Sequence, residues 1–452
     1  MNQTKKNVVW NLAGVGLPLA AAFASIPFLI NYYGSEGFGV LSIVWAFVGY
    51  FSIFDLGLSR ALSQIISEKI GKKESNQLPS IIKTGLLLSL SLGVLAAIVS
   101  FFVAPIVISW LKISNSLIND VRSATFFLSL GLPFVVFSVA LMGVLEAYEK
   151  FLEINVIRIF MGLGNFLMPV AAGGLGLGLV EATLGIVAVR FLTTIMYFAL
   201  IVVDDDIELR GKFDAKISKM LFGFGAWVTV SNVISPILVQ VDKFVVGATV
   251  GVKFLPIYSV PADMFGRMSF IPSAFIGAIF PKFVKCWSAS NEEGLMVFKN
   301  TCNLMIKFSI IFLFIIIFSV EKIFSIWIGD DFAKSASGVF VFLAIGFVFN
   351  SVARVPSMFV SAVGRPDLAA KMHIIELPVY TVLLYYFLVN FGVVGAAIGW
   401  CFRMALDMWL LFVCVGFYEK RLSGYCFWAP AFVTSGGGFL LLVKYFFDTG
   451  VF

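Results

Sequence analysis

Four arginines lie inside long apolar stretches of this chain: Arg190, Arg267, Arg354 and Arg403. A charged side chain in hydrocarbon is costly unless it faces protein or water, so each needs a partner or a ligand. Two have an acid one helical turn away, Asp263 before Arg267 and Asp407 after Arg403, at the i, i+4 spacing that lets side chains meet on one helix face. Arg190 and Arg354 have no such local partner. The chemistry open to such a set is anion binding. A planar guanidinium grips phosphate oxygens through paired hydrogen bonds, so one reading is a cationic, water-filled cavity for a phosphate-bearing ligand. The other reading is that all four are buried structural charges paired with acids on neighbouring helices. Asp55, in FDLG, stands five residues before Arg60. A structural ion pair or helix-end contact is the first reading for it, and coupling to a proton or sodium ion the second; Asp263 carries the same two readings.

Other chemistries find little support. The five cysteines (Cys286, Cys302, Cys401, Cys414, Cys426) contain no CxxC, and His373 is the single histidine, so neither a metal cage nor a disulfide framework is readable and no cofactor is expected. Asp204 and Asp206 form a DxD, which in sugar-nucleotide enzymes holds a metal, but it sits in a short linker with no soluble domain around it. GLGLG near residue 176 lacks the Lys and Ser or Thr of a phosphate-binding loop and reads as a turn. The net charge of +6 is spread over short loops rather than gathered in a patch, which argues against a nucleic-acid partner.

What must position these residues is a membrane fold. With 60% hydrophobic and 13% charged residues and a mean hydropathy of +1.00, no water-soluble globule of 452 residues could hide its apolar surface. Runs long enough to cross a ~30 Å hydrocarbon core fall at about 9 to 32, 38 to 62, 80 to 109, 123 to 146, 154 to 174 and 182 to 203. Further runs fall at about 220 to 242, 255 to 281, 303 to 320, 336 to 360, 374 to 391 and 393 to 416, with an extra stretch from Cys426 to Phe446. The expected fold is all-α: a polytopic integral membrane protein of 12 to 13 transmembrane helices, in two six-helix lobes around a central cavity. The expected division is an N-terminal lobe over 1–203, a cytoplasmic linker over 204–219 (DDDIELRGKFDAKISK), a C-terminal lobe over 220–417 and an extension over 418–452. Pro18, Pro27, Pro133, Pro236, Pro272 and Pro378 lie inside these spans and should bend them.

Placing the N-terminus in the cytoplasm puts about 21 Lys and Arg on the cytoplasmic side against about seven opposite, the asymmetry that sets orientation. A thirteenth crossing puts the C-terminus outside; a thirteenth helix lying along the interface leaves it inside. A weak repeat joins the halves, because Gly34, which ends the first span, and Gly247, which ends the seventh stretch, share an offset with Arg190 and Arg403 (247 − 34 = 403 − 190 = 213). The stretch VQVDKFVVGATVGVKFLPIYSVPADMFGR places Asp242, Lys243, Lys253, Asp263 and Arg267 among Gly and Pro, a pattern for a broken, cavity-lining helix. The plainer alternative is an outer loop with snorkelling lysines, and it is the better reading for Lys253.

The opening hairpin carries a family resemblance. Its YYGSEGFG turn, followed by a span ending FDLGLSRAL, resembles the first two helices of bacterial polysaccharide flippases, the Wzx-type O-antigen transporters. These belong to the superfamily of multidrug, oligosaccharidyl-lipid and polysaccharide exporters. VDKFVVG, YSVPADMFGR and IFPKF are similar to helices seven and eight of that family, and the resemblance covers about residues 5 to 416. It implies a transporter rather than an enzyme, in the bacterial inner membrane. The implied substrate is an undecaprenyl-pyrophosphate-linked oligosaccharide, moved from the cytoplasmic to the periplasmic leaflet by alternating access. Arg190 and Arg403 would then bind the pyrophosphate, helped by Arg267 and Arg354. The implied partners are the lipid-linked oligosaccharide, membrane lipids, and a polysaccharide polymerase with its chain-length regulator. A cation-coupled multidrug extruder of the same superfamily is the alternative, against which stands the absence of any acid in the first span from Val8 to Ile30. A membrane polymerase or glycosyltransferase is a third, and it lacks a long outer loop to house an active site.

Overall fold

In lipid every backbone N–H and C=O must find a partner within its own segment, so apolar runs of this length fold as helices. A computed structural model describes residues 3–50, 54–72, 74–221 and 240–448, and these are all-helical, with no strand among them. The chain divides into two compact units, Met1–Lys253 and Phe254–Phe452.

The first unit holds α1 (Gln3–Tyr50), α2 (Leu58–Gly71), α3 (Leu78–Trp110), α4 (Ile118–Ala147), α5 (Phe151–Gly174) and α6 (Leu179–Val203). A helical stretch over 240–249 follows. The first two expected spans share α1, which is broken at Gly34 by a φ of 67° and ψ of 176° that glycine reaches without the Cβ clash of other residues. At the centre is α4, most of whose apolar window is buried against α2, α3 and α6. Its Leu141, Val144 and Leu145 share a core with Leu62, Ile82, Tyr197 and Ile201. The outer faces stay apolar, as Phe101, Phe102 and Leu95 on α3 show, because lipid tails cover them at no cost.

The second unit holds α7 (Leu255–Met268), α8 (Phe270–Ala289), α9 (Asn291–Trp327), α10 (Asp330–Ala362), α11 (Pro366–Tyr418) and α12 (Ser423–Asp448). Here α10 is the buried centre, packed on α7, α8, α9 and α11. In α11 a non-helical Gly392 (φ 58°, ψ −144°) separates the expected eleventh and twelfth spans. Nine helical stretches among the described residues are long and apolar enough to cross a membrane; the one divided at Gly392 contains two expected spans, and the one divided at Gly34 contains parts of two. The molecule is a polytopic membrane protein.

Three expectations need adjustment. The second span does not run unbroken to 62: Leu56 (φ 48°) and Gly57 (φ 72°) turn the chain, and α2 starts afresh at Leu58. The eighth span breaks at Ser269, because Pro272 has no N–H to give the carbonyl of Met268 four residues back. Pro272 therefore stands in the first turn of α8 rather than bending a helix interior. Gly247 is still helical, and the left-handed residue that follows is Gly251 (φ 117°). Most of the seventh span, including Pro236, lies outside the described residues.

Candidate functional site

Arg190 lies on α6, eleven residues beyond its first residue Leu179 (190 − 179 = 11). At 1.5 Å per residue that is ~16 Å, about half of a 30 Å hydrocarbon core. Arg190 as a whole residue is half-buried. Its Nη1 contacts the Met161 sulfur on α5 at 2.7 Å, while its Nε is buried with no hydrogen-bond partner among the described residues. A thioether is a weak acceptor, so this contact leaves the charge uncompensated. No carboxylate pairs with Arg190 among the described residues. The hydroxyls of Thr193 and Thr194 both donate to its backbone carbonyl at 2.8 Å, and Thr194 also reaches the carbonyl of Phe134 on α4.

Arg403 stands on α11, eleven residues past Gly392 (403 − 392 = 11). Its surroundings are different. Arg403 Nε donates to Glu376 Oε1 at 3.0 Å, and its guanidinium lies 5.1 Å from the centre of the Tyr380 ring. The other oxygen of Glu376 faces His373 Nδ1 at 3.1 Å. Asp407, one turn after Arg403, is buried with Arg403 and Glu376. Arg354 on α10 feels the charge of Asp407, and its Nη2 donates to Asn350 Oδ1 at 3.3 Å while Nε has no hydrogen-bond partner. The second unit therefore contains a compact network of two guanidiniums, two carboxylates and an imidazole.

His373 Nδ1 and carboxylate oxygens of Glu376 and Asp407 lie within 4.8 Å of one another, a grouping that could in principle hold a cation. Both oxygens of Glu376 are already engaged, one of them by Arg403. A cation bound there would have to displace a guanidinium at close range, so the donor set fits an ion-pair network better than a metal cage.

Arg267 stands on α7, one turn after Asp263 and within its electrostatic reach. Asp55 is 4% exposed, and its carboxylate accepts from the Ser59 backbone N–H at 3.1 and 3.3 Å. It satisfies a donor in the first turn of α2, where such groups have no partner within the helix. Asp242 and Lys243 are also buried, 3% and 4% exposed, and the carboxylate of Asp242 accepts from the Lys243 backbone N–H at 2.8 Å.

The DxD is occupied in ending α6. The carboxylate of Asp204 forms an ion pair with Lys150 and accepts from Asp206 N–H. The Lys150 ammonium holds the Asp204 carboxyl below the usual carboxylate range, and the Lys150 pKa is raised in return.

The sequence reading missed Glu376 and Tyr380, and it weighed His373 only as a metal ligand. A signal was present, since Glu376 is the only acid in the apolar run over 374–391. A search for lone arginines alone passed over it, and only the folding of α11 at Gly392 brings Glu376 to Arg403, 27 residues away.

The MatE family model matches residues 19–170. Over 411 residues the chain is 32% identical to the "Putative O-antigen transporter" of Shigella flexneri, covering 90% of this chain and 96% of that protein. Its structure is similar to an inward-facing multidrug resistance MATE family transporter of the MOP superfamily, with a TM-score of 0.71 at 14% identity over 92% of this chain and 95% of that one. It is also similar to the lipid II flippase MurJ in an inward closed conformation, with a TM-score of 0.66 at 17% identity over 98% of each chain. At these identities the structural likeness bears on the fold.

Proposed function

Because the chain belongs to the family of bacterial O-antigen transporters, we propose that it is a flippase for lipid-linked oligosaccharide. A pyrophosphate and several sugars cannot cross hydrocarbon unaided, whereas a polyprenyl tail has no reason to leave it. The protein need shield only the head. The finer reading is an undecaprenyl-pyrophosphate carrier turned from the cytoplasmic to the periplasmic leaflet of the inner membrane, with the N-terminus in the cytoplasm. Alternating exposure of the head-group site to the two sides performs the transfer, and a polymerase with its chain-length regulator receives the product.

The observation that carries the phosphate-binding part is Arg190, a mid-membrane guanidinium with no carboxylate partner among the described residues. In the second unit the charges of Arg354 and Arg403 are balanced by Glu376 and Asp407, so that network adds little net attraction for an anion. Arg190 is therefore the primary phosphate contact. Within the second unit, Arg354 is the guanidinium whose Nε lacks a hydrogen-bond partner among the described residues, and it is the phosphate contact which that unit would offer. Arg403 and Arg267 share their charges with acids and contribute to the local potential rather than to the grip.

Arg190→Ala and Arg190→Lys test this, with membrane abundance read by blot and surface polysaccharide by gel. The expected result is normal abundance for both, lost polysaccharide for Ala and partial retention for Lys. Normal abundance with normal polysaccharide in Arg190→Ala removes Arg190 from the site. A deletion strain separates the extruder alternative: unchanged surface polysaccharide with raised drug sensitivity would favour drug export.

A further inference from the structure

We infer that the groove between α9 and α12 is a binding site for an anionic phospholipid, with Lys307 on its phosphate. The groove is open and has a volume of about 550 Å³. Its polarity is graded along its length. Asn303 and Tyr425 line one end, Lys307 stands one helical turn further along α9, and Ile310, Ile311 and Phe432 line the other end. The two helices run in the same direction here, since Tyr425 meets Asn303 near the start of the groove and Phe432 lies seven residues further along α12 (432 − 425 = 7). At 1.5 Å per residue Ile311 stands ~6 Å beyond Lys307 on α9 and Phe432 ~10 Å beyond Tyr425 on α12, matching a head group followed by the upper part of an acyl chain.

Charge selects the lipid. No acid lines the groove, and Lys307 ion-pairs with no carboxylate among the described residues. A second cation, Lys299, stands 5.9 Å from the centre of the Tyr425 ring at the same end. Two ammonium groups beside an apolar channel complement a phosphodiester of net negative charge and have nothing to offer a zwitterionic head beyond its phosphate. Trp428, 71% exposed, supplies the amphipathic ring expected at head-group depth. The Tyr425 hydroxyl donates to Asn303 Oδ1 at 2.7 Å and so fixes the polar end in place. A lipid seated there bridges the C-terminal helix to α9. This inference is independent of the transport reading, since it rests on the outer surface of one unit.

The test uses the purified full-length chain in mild detergent, with lipid binding counted by native mass spectrometry and stability followed by thermal melting. The probes are phosphatidylglycerol and phosphatidylcholine of identical chains, inorganic phosphate, and a polyprenyl phosphate. Phosphatidylglycerol is expected to bind about tenfold more tightly than phosphatidylcholine and to raise the melting temperature. Lys307→Gln should abolish that preference, Lys307→Arg should keep it, and Phe432→Ala should weaken both phospholipids alike. Equal binding of the two phospholipids, or an unchanged preference in Lys307→Gln, overturns the site. So does a full stabilising effect from inorganic phosphate alone, which would make the groove irrelevant, or tighter binding of polyprenyl phosphate, which would assign it to a carrier lipid. Should Lys307→Gln fail to accumulate, Lys299→Gln and Phe432→Ala carry the same comparison.

Discussion

Glu376→Ala should unfold this protein more readily than any change at Arg190, and the size of the effect follows from burial. The side chains of Arg403 and Glu376 are 9% and 4% exposed, so their 3.0 Å hydrogen bond is shielded from water and little screened by salt. Removing one partner of such a pair strands the other charge at a cost of about 3–5 kcal/mol, an upper limit here because Asp407 still stands near Arg403. Against a net stability of ~5–15 kcal/mol that is a large fraction. Each ~1.4 kcal/mol is tenfold in the equilibrium, so the folded-to-unfolded ratio should fall by two to four orders of magnitude. His373 loses its carboxylate partner in the same variant, which adds to the loss. The assay is thermal melting in detergent alongside membrane abundance. Arg403→Ala should be similarly damaged, because it takes the guanidinium from Glu376 and leaves it the His373 imidazole, and it also loses the Tyr380 ring contact. The double variant Glu376→Met with Arg403→Met should regain most of the stability, since apolar replacement of both partners removes the desolvation cost together with the attraction. A Glu376→Ala protein that melts with the wild type, or a double variant as unstable as the singles, refutes the reasoning.

The remaining predictions are smaller. Asp204→Asn should cost no more than ~1 kcal/mol at neutral pH, because the pair with Lys150 is partly exposed and salt-screened. Since the folded Asp204 carboxyl titrates below its unfolded value of ~3.9, the pair's contribution is present above that pH and fades as the pH falls through the folded value. Melting curves of wild type and Asp204→Asn should therefore converge in acid and separate again in neutral buffer. Asp55→Ala should cost ~0.5–2 kcal/mol through the lost contact to Ser59 N–H. Asp55→Asn should retain most of the stability and normal surface polysaccharide; loss of polysaccharide at normal abundance would instead give Asp55 a part in coupling. Single cysteines at Ser35 and Asp214, in a background lacking the native five, should label from the periplasm and the cytoplasm respectively. Labelling of Asp214 from outside would reverse the topology.

Sequence alone determined the class of solvent and the main elements. Apolar runs of about 20 residues leave the backbone no alternative to helix, and the third to sixth and tenth helices begin and end within a few residues of the limits read from composition. The same reading located Arg190 and Arg403, because an arginine in an apolar run stands out in one dimension. Their different situations were not legible there. Periodicity reports neighbours three and four residues away, and so offered Arg403 the acid at Asp407. The chain reversal at Gly392 gave it Glu376 as well, while the packing of α5 on α6 gave Arg190 only a sulfur. The break at Ser269 was also hidden, because a proline that bends a helix and one that begins the next look alike until the carbonyl four residues back is located. Which charge is held by a partner and which is left for a ligand is a matter of distances between helices, and only the tertiary structure sets those.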